Sequence, residues 1–470
     1  MNIKTLFAPA DMTQGAPWKS ILLFTVPMLI GNVAQQLYST VDSVVVGKYI
    51  GDNALSAVGS SLPILNMLLV LFIGISTGAT IMASQFFGSK SRNDLSYTIG
   101  NSITVTLIAC VALIAVAAPF IRPLLTLLNT PTDPVVAGIE DYTVLDACAD
   151  YLSISLFGIA GMAFYNILGG IIRGLGDSVS ALIYLLVATV INIFLDILFV
   201  ASFGLGVSGV AWATIIAQLI ASFLCLIKII RMREHFDFAL KYMKPVGHYV
   251  KTIIRLGLPS GLTQAIFSSA MIIVQSLTNR FGVQFVAANI VIMRVDGFAM
   301  MPNFSFGTAL TTFAGQNVGA GRYDRVIKGA KQGTLMAVGC SVVLTLAILL
   351  FGKPLMSIFT DTEELVEMSY RLMFILAFGY IAMAVTQSLS GIMRGAGDTM
   401  TPMWISLVTS VVVRVPLAYI ISYLTVSEEL PHGIPQCIQI SLLVAWVAGA
   451  LLTTVFYARG KWKTKAIKSN

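Results

Sequence analysis

The sequence predicts an all-α integral membrane protein made of two similar halves. Its 470 residues are 57% hydrophobic and 11% charged, and the mean hydropathy is +0.86. Because a soluble domain carries roughly 25% charged residues, this composition excludes the water-soluble globular class. The six residues Ile172 to Asp177 (Ile-Arg-Gly-Leu-Gly-Asp) return as Met393 to Asp398 (Met-Arg-Gly-Ala-Gly-Asp), 221 positions later. This repeat indicates that one helical bundle has been duplicated.

Two more landmarks repeat in the same order and support the duplication. Pro27 is followed by Pro259 at an offset of 232, and Gln85 is followed by Gln316 at an offset of 231. Three landmarks in one order indicate paired halves across nearly the whole chain. We therefore predict an N-terminal lobe, a basic cytoplasmic connection and a C-terminal lobe, at residues 1–230, 231–251 and 252–470.

Twelve apolar stretches predict twelve transmembrane helices, six in each pseudo-symmetric lobe. Each stretch is long enough to cross about 30 Å of hydrocarbon as a helix. The first stretch carries Pro27 and Asp42 and is too long for a signal peptide, so we interpret it as a mature helix. The predicted helices 1 to 12 lie at residues 19–46, 53–83, 95–121, 144–170, 178–203, 207–230, 250–279, 284–313, 328–352, 366–391, 399–423 and 435–458.

Basic residues set the predicted orientation. With both termini and the 231–251 connection on the cytoplasmic side, 22 of the 29 Lys and Arg residues fall on that side and 5 on the other. The remaining two, Arg294 and Arg414, lie inside predicted helices. This bias follows the positive-inside rule, so the net charge of +7 reports topology and does not indicate nucleic-acid binding. We expect a multi-pass protein of the cell (inner) membrane with both termini in the cytoplasm.

The sequence lacks the groups that several kinds of chemistry need. It contains no Gly-x-x-x-x-Gly-Lys, Cys-x-x-Cys or His-Glu-x-x-His sequence, and its three histidines fall in predicted loops. We therefore expect no enzyme, no ATP-driven pump, no cofactor and no resident metal, so the energy comes from an ion gradient or the protein is passive. The Gly-x-Gly-Asp sequences follow transmembrane helices and not strands, which favours tight turns that cap helices over phosphate-binding loops.

Two acidic residues in the N-terminal lobe are candidates for ion binding. Asp42 lies in predicted helix 1 and Asp196 in predicted helix 5, and a charge at membrane depth costs roughly 2.5 kcal/mol or more. Tyr38 and Asn192 each precede one of these acids by four residues, so each shares a helix face with it. The pair predicts a proton site or a Na⁺ site. The alternative for Asp42 is that it ends helix 1 at an aqueous surface.

A second polar group lies in the C-terminal lobe. Asp296 and Arg294 fall near the middle of predicted helix 8, and Arg414 near the middle of predicted helix 11. One interpretation is an acid–arginine pair that ties these helices together, and the other is direct contact with substrate or ion. Met300 adds a flexible thioether that suits varied apolar ligands, although ordinary packing explains it equally well.

At this point the chain resembles the multidrug and toxic compound extrusion (MATE) transporters. The resemblance covers about 440 residues and depends on the order and spacing of three features. These are the paired Arg-Gly-x-Gly-Asp turns, Gly257-Leu258-Pro259 at the opening of the second half, and Phe313-Ala314-Gly315-Gln316-Asn317 at the end of predicted helix 8. The resemblance implies two six-helix bundles around a central cavity.

The resemblance also implies a particular branch and site. In the DinF-like branch, an N-terminal site is built from residues on helices 1, 4, 5 and 6. Helix 1 of that branch is proposed to kink at a proline when the acids are protonated. Pro27 matches this proline. The NorM-like branch uses acids on helices 7 and 10, whereas this chain offers Gln264 and no acid on helix 7. The residues that match the DinF-like site are Tyr38, Asp42, Tyr151, Asn166, Asn192, Asp196 and Thr214.

The family resemblance implies a secondary antiporter. It would export amphipathic, often cationic organic compounds in exchange for protons or Na⁺, as a monomer in the bilayer. A flippase for lipid-linked or cell-wall precursors, or an exporter of one metabolite, is the alternative function. A passive channel or receptor is disfavoured by the duplicated halves and the two buried acids.

Overall fold

The computed structural model is almost entirely helical. It describes residues 10–50, 52–127, 130, 132–134 and 142–468, without the side chains of residues 37–44, 47, 52–53, 55–56, 60 and 62–63. In this part of the chain, ten helices are long and apolar enough to cross a membrane, and two bent helix pairs bring the number to twelve when each pair counts as one span. The predicted all-α membrane fold is confirmed.

The first six predicted spans correspond to eight α-helices. A π-helical turn at Ile197–Ser202 extends the fifth span. The helices are α1 (Pro17–Tyr49), α2 (Asp52–Gly88), α3 (Arg92–Ala117), α4 (Ile121–Leu127), α5 (Val144–Phe157), α6 (Ile159–Gly174), α7 (Ser178–Asp196) and α8 (Gly206–Arg231).

The second six predicted spans repeat this plan. Like α2, its counterpart α10 has 37 residues, and a π-helical turn at Val408–Val413 interrupts the eleventh span. The helices are α9 (Gly247–Thr278), α10 (Val283–Gly319), α11 (Tyr323–Ser357), α12 (Glu363–Ala377), α13 (Gly379–Gly395), α14 (Met400–Leu407), α15 (Arg414–Leu424) and α16 (Cys437–Ala458).

The fourth span of each half is bent. Helices α5 and α6 meet at 47° and helices α12 and α13 at 44°, and neither break contains a proline. At the first break a side chain on Gly158 would overlap the side chain of Ile215 on α8, so glycine allows the bent span to pack there. Since both halves bend in the same span, the bend belongs to the repeated unit.

The two Arg-Gly-x-Gly-Asp sequences form tight turns that cap the next helix, as predicted. Gly176 and Gly397 have φ angles of +92° and +98°, a region that favours glycine. A carboxylate oxygen of Asp177 accepts a hydrogen bond of 2.8 Å from the main-chain N–H of Ser180 at the start of α7. The duplication therefore preserves a turn that needs glycine for its backbone and aspartate for its cap.

The chain forms two compact units. Of the described residues, residue 10 and those within 30–261 belong to unit 1, and residues 11–29 and 262–468 belong to unit 2. Both α1 and α9 therefore pass from one unit to the other, in each case two residues after a proline, Pro27 or Pro259. The lobe boundaries predicted from the repeat stay a prediction.

Within unit 2, residues 11–16 form an arm that docks on the ends of α10 and α11. Met12 is only 1% exposed. Its main-chain N–H donates to Oε1 of Gln316 at 2.9 Å, and its carbonyl accepts from Nδ2 of Asn317 at 3.2 Å. Arg325 adds donors to the carbonyl groups of Met12 and Gly15. The first turn of α1 thus starts from an anchored segment.

Unit 1 contains a comparable docking of residues 232–246 on α3. Nδ2 of Asn101 donates to the carbonyl of Tyr242 at 3.1 Å, and Oδ1 of Asn101 accepts from the N–H of Val246 at 2.7 Å. Arg92 forms an ion pair of 2.7 Å with Asp237. The segment that precedes α9 is therefore fixed on α3 before that helix begins.

Candidate functional site

The first polar site lies in unit 1 on α7 and α8. Asn192 and Asp196 share one face of α7, and both are fully buried. Nδ2 of Asn192 donates to Oγ1 of Thr214 on α8 over 3.5 Å. Amide, hydroxyl and carboxylate oxygens are ligands that a hard cation takes, and the carboxylate can also carry a proton. The structure thus brings three of the predicted residues to one helix pair.

Two further predicted residues lie on the bent span. Tyr151 is buried on α5. On α6, Nδ2 of Asn166 donates to the carbonyl of Met162 at 2.8 Å, and the carbonyl of Asn166 accepts from Oγ of Ser76 at 2.7 Å. The side-chain amide of Asn166 therefore bonds along its own helix in this conformation.

The predicted contribution of the first helix stays a prediction. Tyr38 and Asp42 belong to α1, but their side chains lie outside the described residues. Pro27 lies inside α1, where its missing N–H removes one helical hydrogen bond. Because α1 changes units between residues 29 and 30, this weakened turn lies next to the change.

The second polar site lies in unit 2 around Asp296 on α10. Oδ1 of Asp296 accepts a hydrogen bond of 2.9 Å from the hydroxyl of Tyr380 on α13. The carbonyl of Tyr380 accepts from Nδ2 of Asn303 at 3.3 Å, and Oδ1 of Asn303 accepts from Oγ of Ser341 on α11 at 2.9 Å. Three helices are joined through a chain of buried polar groups that begins at one carboxylate.

The acid–arginine pair considered for this site is not a direct ion pair among the described residues, but Arg414 lies near enough for its charge to act on Asp296. No ion pair within 4.0 Å joins Asp296 to an arginine among the described residues. Arg294 is exposed on α10, and Arg414 begins α15 with its Nε atom buried and without a hydrogen-bond partner in the described structure. The hydroxyl of Tyr380, a neutral phenol, supplies the direct hydrogen bond to the acid, and the charge of Arg414 acts on it through space.

The other two residues predicted for this site, Gln264 and Met300, differ in how far they are exposed. Gln264 on α9 is exposed, whereas Met300 is buried among the apolar residues of unit 2. The burial of Met300 among apolar side chains favours a packing role over contact with a ligand in this conformation. Neither residue contacts the Asp296–Tyr380 pair in the hydrogen bonds that the structure describes.

Sequence reasoning missed Tyr380, Asn303 and Ser341 because it searched for charged groups at membrane depth. Asn303 follows Asp296 by seven residues, which places both on one face of α10 two turns apart. That spacing was a usable signal. Tyr380 had none, because its approach to Asp296 depends on the bend between α12 and α13.

The comparisons with known proteins agree with this architecture. The MatE family profile matches residues 27–198 and 259–420. "Probable multidrug resistance protein YoeA" of Bacillus subtilis is 31% identical over 463 residues, covering 96% of this chain and 95% of the relative. "Probable multidrug resistance protein NorM" of Thermotoga maritima is 26% identical, covering 96% and 94%.

Solved structures share the fold. A multidrug resistance MATE family transporter in an outward-facing conformation superposes with a TM-score of 0.87 at 22% identity, covering 97% of this chain and 98% of the other. A MOP superfamily transporter from Pyrococcus furiosus gives 0.84 at 23% identity, covering 95% and 97%. The profile spans both halves and the relative with 31% identity covers nearly the entire chain, so this multi-pass membrane protein belongs to the MatE family of transporters.

Proposed function

We propose that this transporter is a secondary antiporter that exports amphipathic, often cationic organic compounds. Protons or Na⁺ would enter in exchange. The names of its relatives, which describe multidrug resistance proteins, support this substrate class. The proposal includes a cell-membrane location with cytoplasmic termini, supported by 22 of 29 basic residues on that side.

The buried face of Asn192 and Asp196 carries the proposal. A carboxylate inside a membrane span costs free energy while it is charged and unpaired with a cation. A proton or Na⁺ bound there removes the charge, and an ion that binds one conformation better than another shifts the equilibrium between them. Asn192 shares a helix face with the acid and bonds to Thr214, so neutral oxygen ligands for a cation would come from these two residues, which suits a site that must bind and release.

Asp42 is proposed as the second acid of this site, with Tyr38 beside it. Its helix is weakened at Pro27, close to the point where α1 changes units. Ion binding at Asp42 would change a charge in the same helix that can bend at Pro27. This arrangement supports a link between ion binding and helix movement.

The test is transport in proteoliposomes loaded with a fluorescent organic cation. A proton gradient and a Na⁺ gradient are imposed separately on the wild-type protein and on Asp196→Asn. We expect one gradient to drive transport in the wild type and Asp196→Asn to fall to the rate without a gradient. Asp361→Asn is the matched control, because Asp361 is exposed in the loop before α12, and it should transport normally.

Two results would contradict the proposal. If neither gradient drives export by the wild type, the protein is no secondary antiporter for this substrate. If Asp196→Asn keeps full gradient-driven transport while it is folded in the membrane, the coupling ion does not use this carboxylate.

A further inference from the structure

A cavity of about 860 Å³ lies in unit 2 between the arm and the start of α11. None of the residues of the two polar sites lines it. Its walls come from residues 15–18 on one side and from residues 321–325, Lys328 and Gln332 on the other. The arm and α11 therefore share a space that the proposed antiport does not use.

The cavity has an excess of positive charge. Arg322, Arg325 and Lys328 line it, and Asp324 is the one acidic residue in its lining. None of the three cations forms an ion pair with a carboxylate of the described residues. Arg322 comes just before α11 and Arg325 lies in its first turn, close enough for their like charges to act on each other.

The two arginines bond to groups that do not neutralise them. Nη1 of Arg322 donates to the carbonyl of Thr13 at 2.6 Å, and Nη1 of Arg325 donates to the carbonyl of Gly15 at 2.6 Å. These contacts fix the guanidinium groups and leave their charge in place. Nε and Nη2 of Arg325 also donate to the carbonyls of Met12 and Gln14, and Asp11 of the arm attracts Arg325 through space. Arg322 and Lys328 therefore have more N–H donors without a partner among the described residues, and fixed cationic donors of this kind bind phosphate in proteins.

The position of the cavity points to the membrane surface. Trp18 forms part of its wall in the first turn of α1, is 48% exposed, and donates its main-chain N–H to Oε1 of Gln332 at 3.1 Å. Leu22 and Leu23 are exposed one turn further along α1. Tryptophan beside exposed leucines marks the level of lipid headgroups.

We propose that this cavity binds a phosphate group carried by the headgroup of an anionic phospholipid. The phosphate would lie against Arg322 and Lys328, with the charge of Arg325 beside them, and the acyl chains would run along the exposed leucines of α1. Basic pockets on a membrane-facing surface bind anionic headgroups in this way. The bound headgroup would hold the arm against α11 and so stabilise the first part of α1.

The test is thermal unfolding of the full-length protein in detergent at low salt, titrated with phosphatidylglycerol, phosphatidylcholine or inorganic phosphate. Lys328→Gln is the informative variant, because no hydrogen bond or ion pair joins Lys328 to another described residue. Lys331→Gln is the matched control, since Lys331 is exposed three residues further along α11 and does not line the cavity. We expect phosphatidylglycerol to raise the melting temperature, with an apparent affinity about fivefold weaker in Lys328→Gln and unchanged in Lys331→Gln.

The three titrants separate the sources of the phosphate. Stabilisation by phosphatidylglycerol alone, with the Lys328 dependence, supports the lipid. Equal stabilisation by inorganic phosphate with the same dependence supports an anion site but overturns the lipid assignment. Equal responses of Lys328→Gln and Lys331→Gln to every titrant, or no preference for phosphatidylglycerol over phosphatidylcholine, overturn the proposal.

Discussion

The two halves of the chain are alike at their turns and unlike at their charges. Asp177 and Asp398 cap the following helices with hydrogen bonds of 2.8 and 3.2 Å from main-chain N–H groups. Asp177 also forms an ion pair of 2.9 Å with Lys228, whereas Asp398 forms none with a described residue. A cap is needed in both halves because each turn must start a helix, but a tertiary ion pair is not part of that requirement.

The acids of the two polar sites show the same contrast more strongly. At the offset of 221, Asp196 corresponds to Leu417, and at the offset of 231, Asp296 corresponds to Leu65. Each half therefore carries its acid where the other carries leucine. The difference teaches that the two halves share the duplicated backbone, while neither of these acids belongs to what they share.

The largest expected effect concerns the ion pair. Asp177→Asn keeps an effective helix cap but leaves Lys228, which is 14% exposed, without its carboxylate. We expect a loss of about 3 kcal/mol in unfolding free energy, at the lower end for a broken buried pair. Asp398→Asn should cost about 0.5 kcal/mol or less, because only the cap is involved. Thermal unfolding in detergent measures both.

A check on this contrast is the double variant Asp177→Asn with Lys228→Met. It should recover much of the lost stability, because no buried charge remains. Equal losses in Asp177→Asn and Asp398→Asn would show that the ion pair contributes nothing and that the two turns are energetically alike.

The second expected effect concerns the carboxylate of unit 2. Tyr380→Phe removes the hydroxyl that donates to Asp296, so the acid loses a described hydrogen-bond donor. We expect a loss of about 2 kcal/mol, measured by thermal unfolding. Tyr419→Phe is the control, since its hydroxyl donates to the carbonyl of Ile273 at 3.3 Å in an exposed position, and it should lose no more than about 0.5 kcal/mol.

The double variant Tyr380→Phe with Asp296→Leu sharpens the comparison. Replacing both partners by apolar groups removes the unpaired acid but also the charge opposite Arg414, so only part of the stability should return. The variant then shows whether transport needs the acid. If Tyr380→Phe unfolds at the same temperature as the control, the tyrosine does not support the carboxylate.

The smallest expected effect is a difference in pH response between residues 232–246, which dock on α3, and residues 11–16, which dock on α11. The hydrogen bond from Arg92 lowers the pKa of Asp237 below its ordinary value of 3.8. A lowered pKa in the folded state means that the contact is complete above about pH 4 and is lost as the pH falls through the lower value. The bonds from Arg322 and Arg325 to the arm end on carbonyl groups, which do not titrate in this range, while the carboxylate of Asp11 accepts hydrogen bonds from Thr13 and Gln14 within the arm.

Hydrogen exchange at pH 6 and pH 3 measures this difference. Residues 232–246 should gain exchange at the lower pH, after correction for the intrinsic rate, while residues 11–16 change less. In Arg92→Gln, residues 232–246 should exchange at pH 6 as fast as they do in the wild type at pH 3, because the contact is absent at both pH values. Identical pH responses of the two segments in the wild type would contradict the expectation.

Sequence patterns predicted the membrane spans well, but they placed the ends of two helices too early. Hydropathy placed the ends of predicted helices 2 and 8 at residues 83 and 313, yet α2 and α10 continue to Gly88 and Gly319. The added turn of α10 carries Gln316, which is buried against the arm and accepts a hydrogen bond from it, and the added turn of α2 carries the buried Gln85. A hydropathy pattern treats such residues as exposed, so it ends the helix too early.

The sequence could predict which polar side chains lie together only when both lie on the same helix. The four-residue spacing of Asn192 and Asp196 places them on one face without any tertiary knowledge. The partner of Asp296 depends on how α13 turns after a bend that contains no proline. Spacing along one helix cannot report which side chain of another helix reaches an acid.

The passage of α1 and α9 between units limits how this chain can be divided. A fragment that ends within residues 231–246 would carry the arm 11–16 without α11, and it would lack the part of α9, residues 247–261, that belongs to unit 1. The N-terminal fragment would therefore lack part of unit 1, and the remaining C-terminal fragment would lack part of unit 2. We therefore expect fragments produced from two separate genes to accumulate as folded protein only when both are made in the same cell.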